Sequence, residues 1–296
     1  MSQHAEPLAA FVRKLESHSD LSAEESAAIY ALPCHVRAIG AHRQIVNAGS
    51  SVTTCGFLVS GYAARTKIVG TGARQIMALH VRGDGLDLHN MLLPWADHDI
   101  VAITNAEVAF VPADALRQLV VSSPGAARAV WRDTLLSAAI EREWVVNVGR
   151  RDALTRVSHL LCEFVLRQHA AGIGGSGRYE LPLTQEAIGD CTGLTSVHVN
   201  RTMQRLRGDS LISTQGNREL YVVDWEALTR AADFQPEYLY ADGVGRNGRH
   251  RPVQLQGAGV VADMRTSRPA PLQQSWQGIS AETPSRASQA RPRLDA

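Results

Sequence analysis

The sequence predicts an α+β chain in three regimes: a β-roll or jelly-roll barrel, one long helix, and a small helical domain closed by a hairpin. Three observations carry this. Short apolar runs punctuated by glycine fill the first third of the chain. After Pro124, apolar residues recur at mixed three- and four-residue steps through about 25 residues with no further proline. Beyond residue 180, two short helical patterns flank Thr192-Gly193-Leu194, and two β-rich runs follow around Gln215-Gly216-Asn217.

The first regime covers residues 1–112. "AEPLAAFVRKLESHSDLSAEESAAIYAL" reads as short helices packed outside the barrel. "FLVSGYAARTKIVGTGARQIMALHVRGDG" then reads as strand, Ser-Gly turn, strand, Gly-Thr-Gly turn, strand and Gly-Asp-Gly loop. "DIVAITNAEVAFVP" adds two β-rich runs broken at Thr104–Asn105. Many short strands with regular turns imply a sandwich or jelly-roll barrel.

The second regime, residues 113–150, is a long helix for which Pro124 suits a start. Its stripe is Val130, Leu135, Ala138, Trp144, Val145 and Val148. At 1.5 Å per residue such a helix spans roughly 38 Å, more than one small barrel needs to cover. Pairing with a second copy of itself is the economical way to bury the stripe, so a homodimer is expected.

The third regime, residues 151–240, opens with the helix "DALTRVSHLLCEFVLRQH" and the flexible turn "AGIGGSG". Thr184 can N-cap a short helix through Cys191, and Thr195 can N-cap a second. Gly193 can take the positive φ of the turn between them, and Gly189 lets the two helices approach. The second helix has Val199, Met203 and Leu206 at i, i+4 and i+7 as its inner face. This is the spacing of a helix-turn-helix, and the hairpin around Gln215-Gly216-Asn217 would be its wing.

With that face inward, polar side chains emerge from the start of the second helix. The candidates for DNA contact are Thr195, Ser196, Val197, His198, Asn200, Arg201 and Arg205. In a helix-turn-helix that end enters the major groove. Arg201 can pair with guanine O6 and N7, and Asn200 can bond adenine or a phosphate. The alternative is a solvated face of a small α domain, against which two N-caps, two spaced glycines, an inner stripe and a wing all count.

Residues 241–296 carry eight Arg against three Asp and one Glu, so net +4 sits there and about −3 on the first 240 residues, within a whole-chain charge of +1. Rich in Gly, Pro, Ser, Gln and Arg and lacking any period, they read as a disordered basic tail. Their removal is expected to flatten the salt dependence of DNA affinity. Cys34, Cys55, Cys162 and Cys191 are far apart and form no C-x-x-C pair, which suggests reduced thiols. No signal peptide and no bilayer-spanning apolar run is apparent, so a cytoplasmic location is expected, with no membrane partner.

Over Leu181 to Val223, "LTSVHVNRTMQRLR" and "GDSLIST" resemble the recognition helix and wing of the Crp–Fnr family of bacterial transcription regulators. The order of barrel, long helix and winged helix extends the resemblance to about residues 20–240. "DWEALTRAADFQPEYL" looks like the ending of a subgroup of relatives. The resemblance implies a barrel of the cyclic-nucleotide-binding type and a homodimer joined along the long helix. It further implies a twofold-symmetric double-stranded DNA operator and RNA polymerase as a partner. Arg201 matches the family's guanine-reading arginine. Where many members carry Glu this chain has Val197, so their half-site sequence is not carried over.

Cyclic-nucleotide-binding relatives hold the phosphate with a glutamate and an arginine. The corresponding segment here, Gly83 to Leu116, has no Lys or Arg but six acids, Asp84, Asp87, Asp97, Asp99, Glu107 and Asp114. The position aligned with the phosphate arginine is Ala96. Uncompensated carboxylates repel a phosphate, so cyclic AMP is not expected as effector. The first thirty residues hold no cysteine, unlike the iron–sulfur members. His80, His89 and His98 with Asp87, Asp97 and Asp99 could assemble a metal or haem sensor site. The simpler reading is a polar loop of solvated side chains, so no cofactor and no metal are expected. Cys191 is expected to be a buried, inert thiol. No G-x-S-x-G, H-E-x-x-H or G-x-x-x-x-G-K-[ST] occurs, so no catalytic residue is assigned; an enzyme built on the loop around His89 is the competing class.

Overall fold

Two short helices open the chain, whose computed structural model describes residues 6–216 and 218–240. The tail at 241–296 and the wing-tip residue Asn217 lie outside the described residues. Helix α1 (Ala9–His18) buries Phe11, Val12 and Leu15. Helix α2 (Ala23–Tyr30) starts from a reciprocal cap: Ser22 Oγ accepts from the Glu25 N–H, and the Ser22 N–H donates to Glu25 Oε2. Both lie against the outside of the barrel, where the Phe11 ring sits 4.4 Å from that of Phe57.

Seven strands follow: β1 (His35–Ile39), β2 (Gln44–Val46), β3 (Thr54–Ser60), β4 (Ala63–Ile68), β5 (Arg74–His80), β6 (Asp99–Ala102) and β7 (Ala106–Pro112). They form two antiparallel sheets, ordered β1-β7-β3 and β2-β6-β4-β5. The expected strands β3 to β7 are present. Strands β1 and β2 left little trace in the sequence, because four of the five β1 residues are exposed and β2 has only three residues. The Ser60-Gly61 turn requires its glycine: φ is +80°, and a Cβ there would stand 2.3 Å from the Asn105 carbonyl oxygen.

The segment 113–150 holds two helices rather than one. Helix α3 (Ala113–Ser122) ends at Ser123, and α4 (Pro124–Arg150) begins immediately after. Proline has no N–H to continue α3 and holds the preceding residue extended. Ser123, at φ −126° and ψ 101°, turns this to use by capping Ala126 N. The stripe expected along α4 also divides. Val130 and Trp144 are buried within the chain, whereas Leu135 is 57% and Val145 73% exposed, together with Trp131 and Val146.

Helix α5 (Ala153–Ala170) is capped by Asp152 and nearly all buried after its first turn. The glycine-rich segment after it is a built turn. Gly175 and Arg178 exchange N–H···O=C bonds at 2.9 Å, and a Cβ on Gly174 would lie 2.5 Å from the Arg178 carbonyl oxygen. It leads into β8 (Arg178–Glu180), which makes the wing a three-stranded sheet ordered β8-β10-β9, with β9 (Ile212–Gln215) and β10 (Glu219–Val222). Helices α6 (Gln185–Thr192) and α7 (Ser196–Gly208) precede the wing, and α8 (Trp225–Ala231) follows it.

One apolar cluster runs from Tyr62, Ile76 and Leu79 of the barrel into Leu161, Phe164, Met203 and Leu220. The Tyr62 ring is 5.6 Å from Phe164, and its hydroxyl donates to Gln168 Oε1 at 3.1 Å. Trp144 Nε1 of α4 donates to the buried Glu163 carboxylate of α5 at 3.0 Å. Among the described residues no helix is long and apolar enough to cross a membrane.

Candidate nucleic-acid interface

The turn between α6 and α7 is set by its two glycines. Gly193 ends α6 at φ +66°, and its N–H returns to the Gly189 carbonyl. A Cβ on Gly189 would stand 2.4 Å from the Leu194 carbonyl oxygen, so any side chain there pushes the helices apart. Both expected caps form: Thr184 Oγ1 accepts from Ala187 N at 3.1 Å, and Thr195 Oγ1 from His198 N at 3.3 Å. From α5, Arg156 Nη1 donates to the Thr192 carbonyl at 3.1 Å and ties the turn to the helix beneath it.

Val199, Met203 and Leu206 are buried, and Thr202 joins them on the inner face, a position the apolar pattern alone did not mark. Thr195, Ser196, Val197, His198, Arg201 and Arg205 are exposed. Asn200 differs: it is half-buried, and its Nδ2 donates to Gln185 Oε1 across the turn at 3.1 Å. Its partner lies on the other helix, so local spacing gave no sign of it. The Arg205 guanidinium is 3.6 Å from Asp209 one turn on, both exposed. Arg207, which sequence reasoning did not single out, reaches from α7 toward the wing, with Nη1 3.5 Å from Thr214 Oγ1.

The acidic segment Gly83–Leu116 is better compensated than its sequence suggested, because its partners come from other elements. Asp84 is buried and takes Lys14 Nζ of α1 at 2.8 Å and Arg167 Nη2 of α5 at 2.7 Å. Burial alone would push its carboxyl up, but Lys14 and Arg167 outweigh that and hold it well below the usual carboxylate range. Asp87 accepts from the Gly56 N–H at 3.0 Å and also bonds Asn90; burial nonetheless pushes it up to about 6. Asp99 accepts from Ala48 N, Glu107 from Ser60, and Asp114 pairs with Arg117. Ala96 is buried in the barrel core. A further cation facing this region is Arg65 of β4, which bonds Glu141 of α4 and the Leu86 carbonyl.

Of the six candidate metal ligands, the fold brings three together: His89, Asp97 and His98. His80 is instead beside Asp84 at 3.8 Å, and Asp87 and Asp99 are bonded elsewhere. The expected solvated loop is also corrected, since His98 packs under the surface with its ring 5.2 Å from that of His89. All four cysteines are free, and Cys55, Cys162 and Cys191 are buried. Burial pushes the Cys55 thiol up to about 12 and raises Cys162 and Cys191 as well, so these thiols are protonated and inert at neutral pH.

Residues 155–231 match the Crp-like helix-turn-helix domain. The chain is 24% identical over 201 residues to the transcriptional activator protein FnrL of Cereibacter sphaeroides, across 67% of this chain and 80% of that one. It is 28% identical over 195 residues to a probable transcriptional activator of Rhizobium leguminosarum bv. viciae, across 66% and 80%. Among solved structures, FixK2 from Bradyrhizobium japonicum shares the fold, with a TM-score of 0.63 at 24% identity over 68% of this chain and 98% of that one. Barrel, long helix and winged helix-turn-helix define the class: a DNA-binding transcription regulator. Residues 155–231 carry a Crp-like helix-turn-helix, and over about two thirds of its length the chain is similar to regulators of the Crp–Fnr type.

Proposed function

We propose that the protein is a cytoplasmic homodimer that reads a twofold-symmetric operator through α7 and works with RNA polymerase. In this reading residues 1–112 are the sensor part, α4 is the dimer seam, and 151–240 is the reader. The observation that carries it is the division of α7. Its inner face is closed, while Thr195, Ser196, Val197, His198 and Arg201 are exposed in the first turns, the end that enters a major groove, and Arg205 is exposed in the last turn beside Asp209. Asn200, held by Gln185, is assigned a positioning role or a phosphate rather than a base. Dimerisation is supported by the outward face of α4. Trp131 and Val145 are two heptads apart, and Leu135 is the next seam position after Trp131; a lone chain leaves all three in water. No catalytic residue is part of this reading. A cyclic nucleotide is not proposed as effector, since Ala96 offers only a methyl group and Arg65 is engaged by Glu141.

The test is selection from random duplex DNA with the full chain, with its mass measured at micromolar concentration. The expected result is a dimer enriching a palindrome whose half-sites are one helical turn, about 34–36 Å, apart. A chain that stays monomeric with DNA present, or that enriches no sequence, overturns the proposal.

A further inference from the structure

We propose that His89, Asp97 and His98 form a binding site for one divalent transition-metal ion on the barrel wall that faces α4. One ring nitrogen from each histidine and one Asp97 oxygen lie within 4.8 Å of one another. Ligands at 2.0–2.2 Å from an ion in a tetrahedral shell are about 3.5 Å apart. The remaining closure of about 1 Å is a side-chain adjustment, to which Asp97, its side chain 78% exposed, can contribute.

The second observation is independent of that distance. His98 is only 4% exposed, and its Nδ1 is 2.7 Å from Asp97 Oδ1. Without an ion this contact keeps the proton on Nδ1 and leaves Nε2 as a lone pair; Asp97 gives up the contact when it turns to the ion. That Nε2 is buried without a hydrogen-bond partner, and so is Nε2 of His89. Two adjacent buried ring nitrogens with no partner run against the usual satisfaction of buried polar groups. A shared ion answers both.

The surroundings suit a cation of this class. Imidazole and carboxylate together select zinc, iron, nickel or cobalt over calcium and magnesium. Arg65, which opposes a metal ion on this wall, is neutralised by Glu141, while Lys67 of the same strand acts on Asp97. The three residues line a cavity of about 700 Å³ together with Met77, Trp144 and Val145. There is room beside them for a fourth ligand, water or a small molecule. Val145, which lines this cavity, is also a proposed seam residue, so an ion here would stand beside the dimer seam.

The test uses the full chain, stripped with chelator and titrated with Co²⁺ followed by visible absorption. One equivalent per chain is expected, with d–d bands, no intense sulfur charge-transfer band, and displacement by Zn²⁺. His89→Ala with His98→Ala should abolish the bands, and Asp97→Asn should weaken binding at least tenfold. His35→Ala should change nothing. Because Asp97 is exposed, its substitution leaves folding intact and keeps the test decisive if the double variant does not fold. Equal Co²⁺ binding by parent and Asp97→Asn, or no binding by the parent at micromolar concentration, overturns the proposal.

Discussion

In the proposed reading, Arg201 is the side chain on which sequence recognition depends most. It stands exposed one residue before buried Thr202 and two after buried Val199, so its truncation leaves the inner face untouched. Arg201→Ala is expected to keep the melting temperature and to lose about 1–3 kcal/mol of discrimination per half-site, twice that for a dimer. Non-specific binding should fall far less, because one charge is a small part of the phosphate attraction. Gel-shift titrations with selected and scrambled duplexes check this, and unchanged selectivity would remove α7 as the reader. Arg201 was legible in the sequence because helical period alone places it outside. Asn200 and His98 were not, since what fixes each is a packing partner on another element or burial under a neighbouring loop.

At the scale of elements, α6 and α7 were legible in nearly every detail, because caps and turn glycines act within a few residues of themselves. Gly189→Ala tests that logic. With the Leu194 carbonyl oxygen 2.4 Å from the new methyl group, the helices must separate, at a cost of about 1–3 kcal/mol. Thermal unfolding should move down by several degrees, and operator affinity should fall with it. An unchanged melting temperature would mean that the turn is looser than its geometry implies. The break between α3 and α4 was harder to read. Pro124 announced a helix start, but only Ser123, extended and capping Ala126, shows that another helix stops there. The divided stripe of α4 was harder still, as apolar residues facing the barrel and those facing outward carry the same signal in sequence.

Across the whole molecule, Asp84 ties together parts far apart in the chain. Lys14 reaches it from α1 and also holds Asp133 of α4 at 2.7 Å, while Arg167 reaches it from α5. Asp84→Asn would leave the half-buried Lys14 and Arg167 with only Asp133 and Glu163 as counter-charges and is expected to destabilise the fold by about 2 kcal/mol at pH 7. The sign with pH follows from a carboxyl held below its unfolded value of about 4. Its contribution is complete above about pH 5, shrinks as pH falls below 4, and disappears only once the folded carboxyl itself takes a proton. Denaturant unfolding of parent and variant should therefore differ most at neutral pH and converge in acid. A gap that stays constant with pH would show that Asp84 acts through shape alone. None of this was legible beforehand, because the segment looked acidic when read without the cations that fold onto it.

The core shared by barrel and winged helix bears on what can be exchanged between proteins. Cut out at Arg151, the reader would lose the Tyr62 ring from Phe164, the Tyr62 hydroxyl from Gln168 and the Asp84 carboxylate from Arg167. A patch that is interior in the whole chain would become sticky surface. A chimera grafting this winged helix onto a foreign sensor must therefore bring matching β4 and β5 residues along. The exchangeable module of this chain is therefore the body from α1 to α8.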